Sequence, residues 1–190
     1  MGLYELVYRN RCYRRYESGA SIDKEVLKSF VDLARLSSSA QNLQPLKYCL
    51  SCDRQMNGKI FDTLSWAGYL QEWEGPSAEE RPEAYIVVLG DRSIGENFAI
   101  DAGIAAQSIR LGAMEKGFGS CIIASCDRGA LSKILKIPES LEVLFVISFG
   151  IPGEEIVLEE MTDKSDIKYY RDSKDLHHLP KRTLEDIILH

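Results

Sequence analysis

No stretch of this chain stays apolar for the roughly 18 residues that a membrane-spanning helix needs. The opening residues, MGLYELVYRNR, carry no secretory hydrophobic segment. A cytoplasmic protein is therefore expected. Histidine is scarce, and two of the three histidines are the adjacent His177 and His178. A single C-x-x-C, Cys49 to Cys52, has no second copy, so paired zinc-ligand spacing is missing and no metal site is expected. There is no G-x-S-x-G and no P-loop, and GFGSC (117–121) precedes a strand pattern rather than a helix. That excludes the standard dinucleotide loop. Cysteines number five, an odd count, which favours reduced thiols over a disulfide framework. Positive charge is also short: 23 Lys and Arg against 29 Asp and Glu leave a net charge of −6. A generic nucleic-acid binder is usually basic.

The shortage of positive charge is uneven. Residues 1–60 carry ten Lys and Arg against six Asp and Glu. Three of them, Arg11, Arg14 and Arg15, crowd into NRCYRRY (10–16). Guanidinium forks bind phosphate bidentately and stay charged. Arg11 and Arg14 are three apart, so a turn-like segment would aim both at one small anion. A solvated charged connector has the same spacing. A second basic doublet, Lys181 and Arg182, lies at the far end of the chain.

Hydrophobic periodicity supplies the elements. A short helix is expected over 2–9. Val26, Leu27, Phe30, Val31 and Ala34 predict a helix over 24–36, capped by Ser21 or Asp23. SSSAQNLQP (37–45) reads as a polar loop, then 46–52 as a strand. Residues 53–73 read as helical, broken near Gly58 or Gly68. AYIVVLG (84–90) is an apolar run suited to a strand covered on both faces. Residues 97–116, with Asn97 as cap, predict a helix apolar around most of its girth, hence central. Gly103 and Gly112 would let another element approach it. A strand, a helix capped by Asp127, and the strand LEVLFVISFG (141–150) follow. The tail 154–190 shows little core character before a short helix in TLEDIIL. This order gives α/β or α+β in one domain, with no repeats and no linker.

Taken in order, these segments resemble the FMN-dependent nitroreductase family. NRCYRRY resembles its Arg-Ser-x-Arg-x-aromatic opening, with Cys12 in place of the serine. SSSAQNLQP resembles its Pro-Ser-x-x-Asn-x-Gln-Pro loop, with Ser38 in place of the proline. The segment 101–127 resembles its central helix and following strand, and LPKR (179–182) its C-terminal basic segment. The resemblance implies an α+β fold with a mixed, largely antiparallel sheet flanked by helices, in an intertwined homodimer. It makes 1–190 a single FMN-binding domain, with 154–190 an extension packed on the partner subunit. It implies that Asn10, Arg11, Cys12 and Arg14 surround the flavin, that Lys181 and Arg182 complete the phosphate clamp, and that Ile122, Ile123, Ala124 and Ser125 give backbone contacts. Ser38, Ser39, Ala40 and Asn42 would reach the flavin of the other subunit. It implies ping-pong electron transfer from NAD(P)H through FMN to a nitroaromatic, quinone or similar acceptor, with no catalytic side chain. Trp66, Tyr69 and Trp73 would either line the pocket or simply pack. Two other readings stand beside this one: a flavin-binding sensor or carrier without turnover, and a thiol oxidoreductase using Cys49 and Cys52.

Overall fold

Every residue of β3 (Ala84–Asp91) except the last is buried. Such a strand needs neighbours on both edges and cover on both faces. The computed structural model describes residues 1–19, 21–161 and 166–189 and supplies both. On one edge β2 (Leu46–Ser51) pairs antiparallel with β3, Leu46 opposite Gly90 and Ser51 opposite Tyr85. On the other edge runs β5 (Leu141–Pro152), antiparallel, with a bulge at Val88/Leu89. The far edge of β5 takes β4 (Gly119–Ile123), and its end takes β1 (Tyr16–Glu17), both antiparallel.

Strand periodicity divides the core. Ala84, Ile86 and Val88 pack with α2 (Lys24–Leu36) and α4 (Ala99–Glu115), through Leu27, Phe30, Ala106, Ile109 and Ala113. Tyr85, Val87 and Leu89 face the other way, onto Ile60 of α3 (Arg54–Phe61) and Leu131 of α5 (Arg128–Leu135). A short α1 (Leu3–Arg9) precedes β1. The fold is thus the expected α+β arrangement. Asp23 is the cap of α2, its carboxylate accepting the Val26 amide at 2.8 Å; Asp127 caps α5 the same way at 2.9 Å. No described helix is long and apolar enough to cross a membrane.

Five expectations need correction. The helix over 53–73 stops at Phe61. Beyond it, the Ser65 amide donates to Ser125 and the Asp127 amide to Thr63, both at 2.8 Å. Those bonds tie 63–65 to the chain beyond β4 in place of a helical ladder. α4 has Phe98, not Asn97, at its cap position. Only Gly112 allows close approach: a Cβ there would run into Leu33 of α2, while Gly103 faces open space. α4 is also not buried all round, since Ile100 and Ile104 are exposed. Finally, the tail builds its own sheet: β6 (Ile156–Glu160) lies parallel to β8 (His177–Lys181), and β7 (Tyr170–Arg171) antiparallel to β8. α6 (Leu184–Ile187) closes the described chain. Polar and aromatic contacts hold this sheet, among them the fully buried His177, which is why an apolar pattern did not reveal it.

Candidate active site

The arginine segment runs extended beside β4. Cys12 forms a parallel bridge to Ser120, and the Tyr13 amide donates to the Ser120 carbonyl at 3.2 Å. Side chains in extended backbone alternate, so Arg11 and Arg14 do not face one ligand. Arg14 lines a cleft with Trp66, Cys121, Tyr169 and the stretch Ile122, Ile123, Ala124 and Ser125. Its guanidinium lies 4.7 Å from the Tyr169 ring centre and donates to the Cys12 carbonyl at 3.3 Å. Arg11 lies in a separate groove with Tyr8, Tyr13, Met114 and Pro152, donating to the Val7 carbonyl. Burial, and then the positive charge of Arg110, lower the pKa of Arg11. Arg15 turns away to Glu80 and Asp175.

One residue that the sequence did not single out fixes this segment. Glu154, with its side chain 2 % exposed, accepts the backbone amides of Arg14 and Arg15. It also pairs with Arg171 at 2.7 Å and meets His177 at 3.4 Å. Burial pushes its pKa up. The close approach of His177, the hydrogen bond from the Arg14 amide and the Arg171 charge outweigh that and hold it at about 2. Glu154 follows Pro152 and Gly153, where a glutamate reads as an ordinary turn residue, so the sequence offered no signal.

The serine loop lies elsewhere. Ser39 Oγ donates to Asp101 of α4 at 2.7 Å, and the Ala40 amide to the same carboxylate at 2.8 Å. Asn42 has a positive φ of 57° in the short turn that follows. Ser38 and Ser39 line a cavity with Tyr48, Asp101 and Ala105, apart from the Arg14 cleft. Lys181 and Arg182 are exposed, at the end of β8 and just beyond it. Within one chain the predicted residues therefore fall into separate groups: Cys12, Arg14 and 122–125 meet in one, the serine loop forms another, and Arg11 and the Lys181–Arg182 pair lie apart from both. Asp101, which fixes the loop, was passed over as one polar residue on an apolar helix.

Among the described residues, several polar atoms around the arginine segment are buried without a hydrogen-bond partner: both amide atoms of Asn10, Arg11 Nε and Trp66 Nε1. Buried polar groups are normally satisfied. Of the three aromatics, Trp66 lines the cleft, Tyr69 packs tilted against Tyr169 with ring centres 5.0 Å apart, and Trp73 lies between Arg15 and Arg171. A cation, an aromatic wall and a run of strand-end backbone suit a planar, anionic, hydrogen-bonding heterocycle.

Comparison with known proteins gives a family and a fold. The model of the family described as "Nitroreductase family" matches residues 7–151. A relative from Archaeoglobus fulgidus, named "Putative NADH dehydrogenase/NAD(P)H nitroreductase", is 29% identical over 168 residues, 84% of this chain and 91% of its own length. Among solved structures, a nitroreductase family protein from Clostridium novyi NT superposes with a TM-score of 0.66 at 24% identity, over 95% of each chain. An FMN-dependent nitroreductase from Clostridium difficile R20291 gives 0.65 at 22% identity, over 86% of this chain and 94% of its own. At those identities the structural likeness speaks for the fold.

Proposed function

The chain belongs to the nitroreductase family, a family of oxidoreductase enzymes, and we propose that it uses bound FMN to carry electrons from NAD(P)H to an electron-poor acceptor such as a nitroaromatic or a quinone. The observation that carries this reading is the Arg14 cleft, with Trp66 Nε1 in its wall and the side-chain amide of Asn10 beside the arginine segment both buried without hydrogen-bond partners. These groups fit FMN: cationic guanidinium for a phosphate or an anionic ring edge, amide and indole N–H for ring heteroatoms. FMN, when bound, supplies two-electron transfer between a nicotinamide and an acceptor. The chain's part is position and field. Arg14 brings positive charge, Ile122 to Ser125 present backbone groups, and Trp66 walls the cleft from water. The distal Lys181 and Arg182 complete the phosphate clamp in this reading, while Arg11, in its own groove, lies outside it.

One open pocket over one flavin face cannot hold donor and acceptor together. Each must stack at near-contact distance where the other did, so kinetics are ping-pong. Double-reciprocal plots at fixed acceptor concentrations are expected to be parallel, with excess acceptor competing against NAD(P)H. Intersecting lines would overturn the shared position. Failure of NAD(P)H to bleach the flavin anaerobically would leave a carrier without turnover. Free thiols at all five cysteines suit the reducing cytoplasm.

A homodimer belongs to the same proposal. The loop 38–42 lies apart from the cleft of its own chain, so it serves the cleft of a second copy. Ile100 is 66% exposed on α4, beside exposed Ile104 and near exposed Leu33 and Leu36 of α2. Leu184, Ile187, Ile188 and Leu189 are exposed on the tail, the part of this single domain (residues 154–190) that we assign to packing on the partner. Covering one such side chain is worth about 1.5–3 kcal/mol. Sedimentation is expected to show a dimer at micromolar concentration, and Ile100→Glu with Ile104→Glu to yield monomer with weakened FMN binding. A flavin-loaded wild-type monomer would refute it.

A further inference from the structure

Arg110 is a buried cation, 8% exposed on α4. Among the described residues no carboxylate pairs with it. Its polar partners are Ser120 Oγ at 3.2 Å and the sulfur of Cys12 at 3.7 Å. A buried guanidinium without a counter-charge is costly. A thiol can supply that charge by ionising, whereas the serine expected at position 12 could not. The Cys12–Ser120 bridge brings Cys12 against β4, where the buried Cys121 follows at once. The Cys121 thiol donates to the Ile122 carbonyl at 3.6 Å, the Cys12 and Cys121 thiols interact closely enough to shift each other's titration in opposite directions, and Cys121 also lines the Arg14 cleft.

We propose that Cys12 and Cys121 form a peroxide-reactive dithiol, with Cys12 the attacking thiolate and Cys121 the resolving thiol, and hydroperoxides the substrate class. The reaction balances. Cys12 thiolate attacks the terminal peroxide oxygen and the O–O bond breaks. The leaving alkoxide or hydroxide takes a proton from solvent, giving Cys12 sulfenic acid and an alcohol or water. The Cys121 sulfur then displaces the sulfenic oxygen, its proton leaving with that oxygen as water, and the S–S bond forms. Two sulfurs are oxidised by two electrons in total, and the peroxide is reduced by two.

The electrostatics agree with this division. The interaction with Cys121 and the charges of Arg110 and Arg14 outweigh burial and hold Cys12 well below the ordinary thiol pKa. The same interaction, with burial, pushes Cys121 well above it. Reactive cysteines occupy such electropositive, partly accessible places. Cys49, Cys52 and Cys126 lack this arrangement: burial raises Cys49 and Cys126, and Cys52 stands exposed at the end of β2.

The test is peptide mapping of the purified, reduced wild-type chain after stoichiometric hydrogen peroxide, without reducing agent. The expected product is a Cys12–Cys121 cross-linked peptide pair, two hydrogens lighter than its parts and restored by dithiothreitol. It should form before exposed Cys52 is oxidised, and it should persist in a Cys49→Ser, Cys52→Ser, Cys126→Ser triple variant. Cys12→Ser should leave Cys121 reduced under the same treatment. A Cys49–Cys52 disulfide, oxidation of Cys52 ahead of the pair, or a Cys12 sulfinate beside an unreacted Cys121 would each overturn the proposal. The wild-type order of oxidation decides the matter even if Cys12→Ser fails to fold.

Discussion

Glu154→Ala is expected to lower the unfolding free energy by about 3–5 kcal/mol, the range for breaking a buried ion pair on one side. The carboxylate gathers the amides of Arg14 and Arg15, the Arg171 guanidinium and His177. Removal takes from Arg171, only 11% exposed at the side chain, its 2.7 Å partner and leaves it the longer 3.8 Å approach to exposed Asp175. It also frees the arginine segment from the tail sheet, so three elements loosen together. Urea unfolding at neutral pH measures the loss. The wild-type pH profile gives an independent reading. Glu154 sits at about 2, below its ordinary 4.5, so its contribution is full above about pH 4.5 and fades as pH falls towards 2. That window carries roughly 3 kcal/mol by proton linkage, an upper value because other groups titrate there too. The alanine variant should lack this part of the acid sensitivity. An unchanged urea midpoint at neutral pH would mean that the Glu154 cluster holds nothing.

The invisibility of Glu154 in the sequence and the visibility of α2 have physical causes. α2 repeats an apolar face at Leu27, Phe30 and Ala34 and begins at a capping aspartate, so local pattern and tertiary burial agree. β3 is an apolar run because both its faces are covered, and it was found to within a residue. Residues 62–73 do not continue the helix because long-range bonds from 63–65 to 125–127 decide their course, and no local spacing encodes those partners. The tail sheet was missed for a related reason: charged and aromatic pairs such as Arg171 over Trp73 at 4.6 Å bury surface without apolar periodicity. At the site, residue types were legible and their directions were not. Arg11 and Arg14 would share a face on a turn, but the bridge of Cys12 to Ser120 extends the backbone and sends them apart. The Cys12–Cys121 contact joins positions more than a hundred residues apart along the chain, and only the fold brings them together.

Arg14→Ala is expected to weaken FMN binding by about 1.5–3 kcal/mol, the range for a hydrogen bond to a charged group. That is roughly a ten- to 150-fold rise in Kd. Of the basic residues assigned to the cofactor, Arg14 is the one in the cleft with Ile122 to Ser125. Burial weakens its hold on the proton, but Cys121, Cys12, Tyr169 and Glu154 together more than offset this, so its pKa is raised and it stays cationic. Its position is set from behind, through the backbone amide held by Glu154 and the donation to the Cys12 carbonyl. The side chain can therefore be removed without undoing the anchor, and the urea midpoint of Arg14→Ala should lie far closer to wild type than that of Glu154→Ala. Arg14→Lys should recover part of the affinity, because it keeps the charge and loses the planar fork. Added salt should reduce the difference only modestly, since the side chain is half-buried and screening acts weakly there. Titration of the apoprotein with FMN, followed by quenching of flavin fluorescence, measures all three proteins. An Arg14→Ala variant that folds normally and binds FMN with wild-type Kd would remove the cleft as the cofactor site.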